Sequence, residues 1–228
     1  MSTCDLWWAR VGDLRPEHDA LLPPAELRRR DRFARPADRR RATASAVVLR
    51  LVLGPVLGLP PALVPVERGC PRCGRPHGRP RLAGGPEVSV AHAGDCLVVA
   101  VCADRPVGVD VEEVAGFCDT GLADVVLARE ERRPPTPAGL ATTWTRKEAL
   151  LKATGTGLDA DPAGLVLSAP GEPPRLLRGD VGPAWLVDLA PPAGLVGALA
   201  VLGDAPVAVR ERDAAAPLRA SLARPAPT

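Results

Sequence analysis

Short apolar runs with the length of β-strands, grouped with two long helical stretches, constrain the fold of this sequence more than any other feature. Residues 22–59 have a helical pattern with prolines at positions 23, 24 and 36. Residues 60–87 are dense in Pro, Gly and Arg and are predicted to form a loop. Strand-like runs separated by tight turns then follow at 88–92, 96–101 and 107–111.

The second half of the chain repeats this combination of a helix and strands. A helix is predicted over 142–154, where Gly155 and Gly157 stop it. Strand-like runs of a second sheet follow at 165–169, 185–189, 196–202 and 207–210. The residues after Asp213 are rich in Ala and Pro and are predicted to be a frayed tail. The sequence therefore predicts an α+β fold with two halves, 1–104 and 105–228, which share no repeat by residue identity.

Composition and hydropathy exclude several classes of protein. The 228 residues are 46% hydrophobic and 25% charged, which is typical of a globular protein rather than a disordered or fibrous one. The longest apolar stretch, 47–59, is interrupted by Arg50, Gly54 and Pro55 and is too short to cross a bilayer. The N-terminus lacks the pattern of an export signal, and six cysteines are sparse for a disulfide framework. We therefore expect a cytoplasmic protein with reduced thiols and no membrane partner.

Charge is distributed unevenly along the chain. Residues 1–104 hold 16 arginines and 11 acidic residues, whereas residues 105–228 hold 13 basic and 16 acidic residues. Two arginine-rich segments, 28–41 and 68–81, suit phosphate binding, although solvated helix faces have the same pattern. Aromatic residues make up 3% of the chain, which argues against a nucleic-acid surface built on base stacking. The first half is thus expected to face anions, and the second half to hold a cation.

Two carboxylates follow each other at alternate positions of a strand-like run, Gly108-Val109-Asp110-Val111-Glu112. Side chains two positions apart on a strand lie on one face, so Asp110 and Glu112 present their carboxylates together. Carboxylate oxygens at this spacing suit Mg²⁺, whose remaining ligands are often waters and phosphates. An exposed strand end with two solvated acids is the alternative interpretation.

Lysine is confined to one predicted helix. Of the 29 basic residues, 27 are arginine, and the two lysines, Lys147 and Lys152, lie within six residues of each other. An ammonium group is a compact point charge, whereas a guanidinium is a planar fork. The use of lysine at these two positions therefore indicates a site where negative charge develops during a reaction. Trp144, Glu148 and Lys152 are spaced four apart and share one helix face, which a surface ion pair would also explain.

The strand motif and this helix closely resemble the paired signatures of the 4′-phosphopantetheinyl transferases. The helix motif, residues 144–158, reads Trp-Thr-Arg-Lys-Glu-Ala-Leu-Leu-Lys-Ala-Thr-Gly-Thr-Gly-Leu. The sequence Ser-Val-Ala-His-Ala-Gly-Asp at 89–95 resembles the family's Ser-His-Ser-Gly segment, and Gly-Arg-Pro at 78–80 resembles its Gly-Lys-Pro loop. The family's N-terminal helix is matched by Arg32, Phe33, Asp38, Arg41, Leu49 and Arg50. The resemblance covers residues 26–170 and points to the larger Sfp-type monomers, built as two similar α+β halves related by pseudo-twofold symmetry.

The resemblance implies a reaction, its cofactors and its partners. Such enzymes move the phosphopantetheine arm of coenzyme A to a serine of an acyl, peptidyl or aryl carrier protein and release adenosine 3′,5′-bisphosphate. These carriers serve fatty-acid, polyketide or nonribosomal-peptide biosynthesis. The implied Mg²⁺ ligands are Asp110, Glu112 and Glu148. The implied coenzyme A contacts are Arg41 and His92 near the 3′-phosphate, Arg79 and Lys152 at the other phosphates, and Arg29 as a further contact.

The serine hydroxyl is a poor nucleophile at neutral pH, so a base must take its proton. Glu148 is the favoured base, and a water activated by the metal and Glu131 is the alternative. Lys152 would neutralise the charge that grows on the pyrophosphate and could protonate the departing phosphate. Lys147 is expected to point off that helix face.

The sequence departs from the family pattern at two places. Arg79 stands where the family's Gly-Lys-Pro loop has lysine. The segment between Glu131 and Trp144, where the family docks its carrier protein, is short and contains Pro134, Pro135 and Pro137.

A different class of function is suggested by Cys70, Cys73 and His77, which have the spacing of half a zinc ribbon. These residues lie in an arginine-rich loop, so a zinc-stabilised binding module is the alternative to an enzyme. A closed four-ligand site would need a distant further ligand such as Cys96 or Cys102.

Overall fold

The computed structural model describes residues 2–70, 73–76, 78–118, 121–131, 136–156 and 160–223. Its helices are α1 (Pro24–Arg30), α2 (Pro36–Leu57), α3 (Gly121–Val126), α4 (Pro137–Thr154) and α5 (Ala215–Leu222). Its strands are β1 (Thr3–Arg10), β2 (Glu87–Ala93), β3 (Cys96–Cys102), β4 (Val107–Glu113), β5 (Val166–Leu167), β6 (Leu176–Arg178), β7 (Ala184–Leu189), β8 (Leu195–Leu202) and β9 (Ala208–Asp213). This mixture of helices and sheets confirms the predicted α+β class.

The first sheet has the strand order β2-β3-β1-β9 and packs against α2. Strand β3 is antiparallel to both of its neighbours, β1 and β2. On its other side, β1 pairs in parallel with β9. Helix α2 begins at Pro36, because proline suits the first turn of a helix, and ends at Gly58 with a φ of 66°. The apolar stretch at 42–54 lies between these ends and is buried, and it forms one core with β3.

The second sheet has the antiparallel strand order β4-β8-β7 and packs against α4. The helix starts after Thr136, whose side chain accepts a hydrogen bond from Gly139 N over 3.1 Å, and ends at Gly155 with a φ of 79°. A Cβ at Gly108 would lie 1.9 Å from Ala149 O, so only glycine allows this approach of helix and strand. Side chains of α4 and β4 therefore meet at short range.

The chain builds the two sheets in the same order. The first half follows the order β1, α2, β2, β3, and the second half follows the order β4, α4, β7, β8, with α3, β5 and β6 as additions. The strands are also neighbours in matching order, β2-β3-β1 in one sheet and β7-β8-β4 in the other. The two halves thus share a topology that their residue identities do not reveal.

The two sheets meet where β2 packs beside β4. These strands belong to different sheets, and a side chain bridges them, because Val109 N donates a hydrogen bond to Ser89 Oγ over 3.0 Å. Ser89 is buried at this junction. The junction places the carboxylate motif of β4 next to the strand that carries His92.

The C-terminal part of the chain differs from the sequence prediction. The run at 207–210 is predicted to join the second sheet, but β9 pairs in parallel with β1 of the first sheet. The tail is predicted to fray after Asp213, but α5 packs on α2 and buries Leu218 in the first core. Residues 224–228 lie outside the described residues.

One further strand and two boundaries also differ. Strand β1 lies in a segment for which the sequence analysis predicts no element. Helix α4 begins at Pro137 rather than at 142, because Thr136 caps it and proline fits its first turn. The run at 165–169 pairs only at Val166–Leu167. No helix within the described ranges combines the length and the apolar character needed to cross a membrane.

Candidate active site

An ion pair between β4 and α4 forms the centre of the candidate site. Lys152 Nζ donates to Asp110 Oδ1 over 2.6 Å and to Val109 O over 3.1 Å. Asp110 is 4% exposed, while Val109 and Val111 are buried behind it, as the alternation along the strand predicts. The strand therefore presents a buried carboxylate to a partly exposed ammonium group.

Two further carboxylates stand around this ion pair. Glu112 accepts a hydrogen bond from Trp144 Nε1 over 3.3 Å, and Glu148 is buried on the same face of α4. The predicted sharing of one helix face by Trp144, Glu148 and Lys152 is confirmed, since all three turn toward β4. Three acids thus surround one ammonium group.

The electrostatics of the three acids favour a bound cation. Burial raises the pKa of Asp110 above its ordinary value, although Lys152 opposes this rise. Burial first, and the charge of Asp110 second, raise the pKa values of Glu112 and Glu148. Each raised pKa means that the ionised form is disfavoured here unless a positive charge is added.

Two carboxylate oxygens in this cluster are without hydrogen-bond partners among the residues that the structure describes. They are Asp110 Oδ2 and Glu148 Oε1, and both are buried. Unpartnered buried oxygens of this kind are costly, and they are the ligands that Mg²⁺ prefers. Within the described ranges no group of three His, Cys, Asp or Glu side chains is arranged to hold a metal ion. The two unpartnered oxygens fit a Mg²⁺ ion that takes few carboxylate ligands and completes its shell with waters and phosphate oxygens.

A positively charged region lies on the β2 side of the site. Arg41 on α2 donates to Gly94 O over 3.2 Å and to Asp38 Oδ1 over 3.1 Å. His92 lies at the solvent-facing end of β2, and desolvation, then Arg41, and to a smaller extent Lys152 lower its pKa. The structure therefore brings Arg41, His92 and Lys152 into one electrostatic neighbourhood.

Comparisons with known proteins match this arrangement of residues. The profile of the 4′-phosphopantetheinyl transferase superfamily matches residues 106–186, which include both motifs. The chain is 33% identical over 196 residues to the 4′-phosphopantetheinyl transferase HetI of Nostoc sp. strain PCC 7120, covering 81% of this chain and 80% of HetI. The chain belongs to the 4′-phosphopantetheinyl transferase superfamily.

A second relative supports the same assignment. A Synechocystis sp. protein, provisionally named a 4′-phosphopantetheinyl transferase, is 28% identical over 158 residues, covering 63% of this chain and 61% of the relative. The resemblance found in the motifs is thereby confirmed, and the chain is a phosphopantetheinyl transferase that acts on carrier proteins.

The Gly-Arg-Pro loop of this transferase reaches the end of its motif helix. Arg79 Nη1 donates to Lys152 O over 2.9 Å and to Ala153 O over 3.3 Å, and its Nη2 lies 3.7 Å from Glu87 Oε2. These carbonyls are among the last of α4, where a cation is favourable. Burial and the charge of Arg81 lower the pKa of Arg79. The arginine that replaces the family's lysine thus connects the first half of the chain to the helix of Lys152.

Arg29 has a different environment from the other predicted coenzyme contacts. It donates to Glu26 Oε2 over 2.9 Å, while Arg50 and Arg68 contact Glu26 Oε1 over 3.3 and 3.0 Å. Burial alone would raise the pKa of Glu26, but Arg68 and Arg29 hold it at about 2. The side chain of Arg29 thus pairs with Glu26 of α1 and lies over the ring of Phe33, 5.9 Å from its centroid, and its contact with coenzyme A stays a prediction.

Lys147 and Glu131 lie on another side of α4. Lys147 Nζ donates to Glu131 Oε2 over 2.6 Å and to Val126 O over 2.7 Å, so the lysine points off the face of Glu148, as predicted. Glu131, the alternative base, is held by this lysine. The proline-containing part of the predicted docking segment, 132–135, lies outside the described residues, as do Gly157 and Leu158 of the helix motif.

Only some of the residues considered for zinc lie within the described part of the chain. Cys70 and Cys73 lie in the loop, and His77 lies outside the described residues. Cys96 and Cys102, the distant ligands considered from the sequence, are buried at opposite ends of β3. Cys96 and Cys102 therefore lie too far apart along β3 to act together, and the zinc-stabilised module stays a prediction from the sequence.

Sequence reasoning did not predict the contacts of Ser89 and Asp38. Ser89 joins β2 to β4 directly before Asp110, and Asp38 pairs with Arg41. Both residues stand in motif segments, so the signal was present, but only the structure shows that they orient the neighbouring site residues.

Proposed function

We propose that this enzyme transfers the phosphopantetheine arm of coenzyme A to a serine of an acyl, peptidyl or aryl carrier protein, uses Mg²⁺, and releases adenosine 3′,5′-bisphosphate. The observation that carries the metal and the chemistry is the pair of unpartnered buried oxygens, Asp110 Oδ2 and Glu148 Oε1, beside the ammonium group of Lys152. We further propose that the protein is an Sfp-type monomer of the cytoplasm whose two halves are related by pseudo-twofold symmetry. The matching strand orders of the two sheets support the symmetry of the halves.

Asp110, Glu112 and Glu148 would hold the Mg²⁺, which supplies positive charge at the pyrophosphate of coenzyme A. The arrangement of charge supports this orientation of the substrate. Arg41 and His92 lie on the β2 side, where they would contact the 3′-phosphate, and Arg79 lies at the end of α4, where it would contact the other phosphates. A polyanion bound between the halves would thus meet cations along its length.

Glu148 is the base in this proposal. Burial raises its pKa in the metal-free protein and a bound Mg²⁺ would lower it again, so the assignment rests on its position beside Asp110 and Lys152. Glu148 takes the proton of the serine hydroxyl as the serine oxygen forms its bond to the phosphorus that bears the pantetheine arm. The bridging P–O bond breaks, and the electron pair leaves with adenosine 3′,5′-bisphosphate. Lys152 neutralises this negative charge and can give a proton to the departing phosphate.

Intact-mass analysis of apo carrier proteins tests the proposal. Each carrier of an acyl, peptidyl and aryl panel is incubated with enzyme, coenzyme A and Mg²⁺, and one phosphopantetheine per carrier should be gained. Asp110→Ala should abolish the gain while the fold remains, and Glu113→Ala, an exposed acid on the same strand, is the matched control. Full transfer by Asp110→Ala, or the full rate in excess chelator, would show that the metal assignment is wrong.

A further inference from the structure

Lys147 has no exposed side-chain surface in the structure. Its relative exposure is 0%, and its Nζ is held by Val126 O at the end of α3 and by Glu131 Oε2. A buried ammonium group is costly unless it is paired and hydrogen-bonded, and both conditions are met here. The mechanism proposed above uses the partly exposed Lys152 and leaves the buried Lys147 without a task.

Glu131 has both of its carboxylate oxygens occupied. Oε2 accepts from Lys147 Nζ over 2.6 Å and from Ala128 N over 2.9 Å, and Oε1 accepts from Leu167 N over 2.9 Å. Its side chain is 7% exposed. Three donors use most of the four acceptor sites of this carboxylate, and its low exposure leaves a serine hydroxyl or an activated water little access to the remaining site. This arrangement suits a structural acceptor and does not suit a general base.

We propose that Glu131 and Lys147 are a positioning pair that fixes the rotation of α4 and thereby aims Glu148 at Asp110, and that Glu131 does not act as the base. The inference rests on the proposed function. Successive residues of a helix are turned by 100°, so holding Lys147 on one side of α4 sets where Glu148 and Lys152 point.

The pair also joins segments that are distant in the sequence. Glu131 accepts a hydrogen bond from Leu167 N of β5, and Lys147 donates one to Val126 O of α3. The last turn of α3, the turn at 128–131 and β5 are therefore held against the middle of α4. The helix is fixed to β4 on its opposite side through Lys152. Anchors on two sides restrict the rotation of α4 more than either would alone.

Amine labelling tests the geometry without any transferase assay, because the chain has only two lysines. Trace acetylation followed by mass spectrometry should modify Lys152, whose side chain is 28% exposed, and spare Lys147 until the protein unfolds. Glu131→Gln should make Lys147 reactive in the folded protein. Equal reactivity of the two lysines in the native enzyme would overturn the proposal, whether or not the enzyme transfers phosphopantetheine.

A kinetic cycle tests the positioning role. Glu131→Gln and Lys147→Met, each normalised to the amount of folded enzyme, should lower kcat about 10- to 100-fold and change the KM for coenzyme A by less than about threefold, since Arg41, His92 and Arg79 are untouched. The kcat of the double variant should be no lower than that of the slower single variant, because both substitutions remove the same anchor. Glu130→Gln, an exposed acid paired with Arg178, is the matched control and should keep the wild-type rate.

The opposite outcomes are distinct. If Glu131 were the base, Glu131→Gln would lose far more activity than Lys147→Met and would lose it equally in the Lys147→Met background. If the pair served stability alone, the melting temperature would fall while kcat per folded molecule stayed at the wild-type value. Should Glu131→Gln fold poorly, Lys147→Met, whose unbranched side chain is one atom shorter, carries the same comparison. An inactive wild-type enzyme with a protected Lys147 would contradict the proposed function alone.

Discussion

The ammonium group of Lys152 lies 2.6 Å from Asp110 Oδ1 and 3.1 Å from Val109 O, so one strand holds both the candidate metal ligand and the cation beside it. The other oxygen of Asp110 has no partner in the described part of the chain. One carboxylate therefore can serve Lys152 and a metal ion at once, and the position of Lys152 depends on the same residue that would bind the metal.

Lys152→Arg should bind coenzyme A nearly as well as the wild type and lose much of kcat, about tenfold or more. A guanidinium is bulkier than an ammonium, contacts Asp110 and a phosphate from a displaced position, and does not readily give up a proton. Single-turnover rates measure the effect, and Lys152→Ala should be slower still. If Lys152→Arg transferred at the wild-type rate, the choice of lysine at this position would have no chemical reason.

Glu148→Gln should stabilise the enzyme in the absence of metal while abolishing transfer. Burial and Asp110 raise the pKa of Glu148, and a carboxyl with a raised folded-state pKa stabilises the fold when protonated and loses that contribution as the pH rises through the folded value. Removing its charge at neutral pH should raise Tm by about 2–4 °C, the change that ~1 kcal/mol produces in a chain of this size.

Thermal melts with and without Mg²⁺ check this expectation. The gain in Tm should be largest at neutral pH and should vanish in acid, where the wild-type carboxyl is also neutral. Mg²⁺ should raise the Tm of the wild type and have little effect on Glu148→Gln. A lower Tm of the metal-free variant at neutral pH would contradict the inference that the ionised form of Glu148 is disfavoured in this cluster.

The sequence predicted the parts of the fold that are set by local pattern. The strands β2, β3 and β4 have alternating apolar patterns and clear turn signals, so their predicted bounds are close to the observed ones, and the glycines after α4 gave its C-terminal end but not its start. The grouping of Asp110, Glu148 and Lys152 followed from strand alternation and helix periodicity combined with the family motifs.

The remaining features depend on contacts between distant residues. Strand β9 looks like any strand of the second half, and only its pairing with β1 places it in the first sheet. The roles of Glu131 and Ser89 depend on donors from Lys147, Leu167 and Val109, which no local pattern reveals. Arg79 was placed in the phosphate loop by its motif, but its bonds to the end of α4 need the packing of two halves.

His92→Ala and Arg41→Ala should each raise the KM for coenzyme A more than they lower kcat. Both residues are proposed to contact the 3′-phosphate, whose charge does not change during the reaction, so they contribute to binding in the ground state. The preference for coenzyme A over 3′-dephospho-coenzyme A should narrow in each variant. Arg39→Ala, an exposed arginine on the same helix, serves as the control. A variant that keeps the full preference would place the 3′-phosphate elsewhere.

The buried carboxylate of Glu26 should make the stability of the enzyme depend on acid pH. Arg68 and Arg29 lower its pKa from 4.5 to about 2 against the opposing effect of burial. A carboxyl with a lowered folded-state pKa stabilises the fold above its unfolded value and loses that contribution as the pH falls from about 4.5 through about 2. At pH 6 this contribution amounts to about 3 kcal/mol, at 1.36 kcal/mol for each pKa unit.

The difference in unfolding free energy between wild type and Glu26→Gln, measured by urea titration, should therefore shrink by about that amount between pH 6 and pH 2. Asp31→Asn, which removes an exposed acid from the same region, should show a much smaller change with pH. A difference that stays constant across this range would show that Glu26 is not held ionised by its arginines.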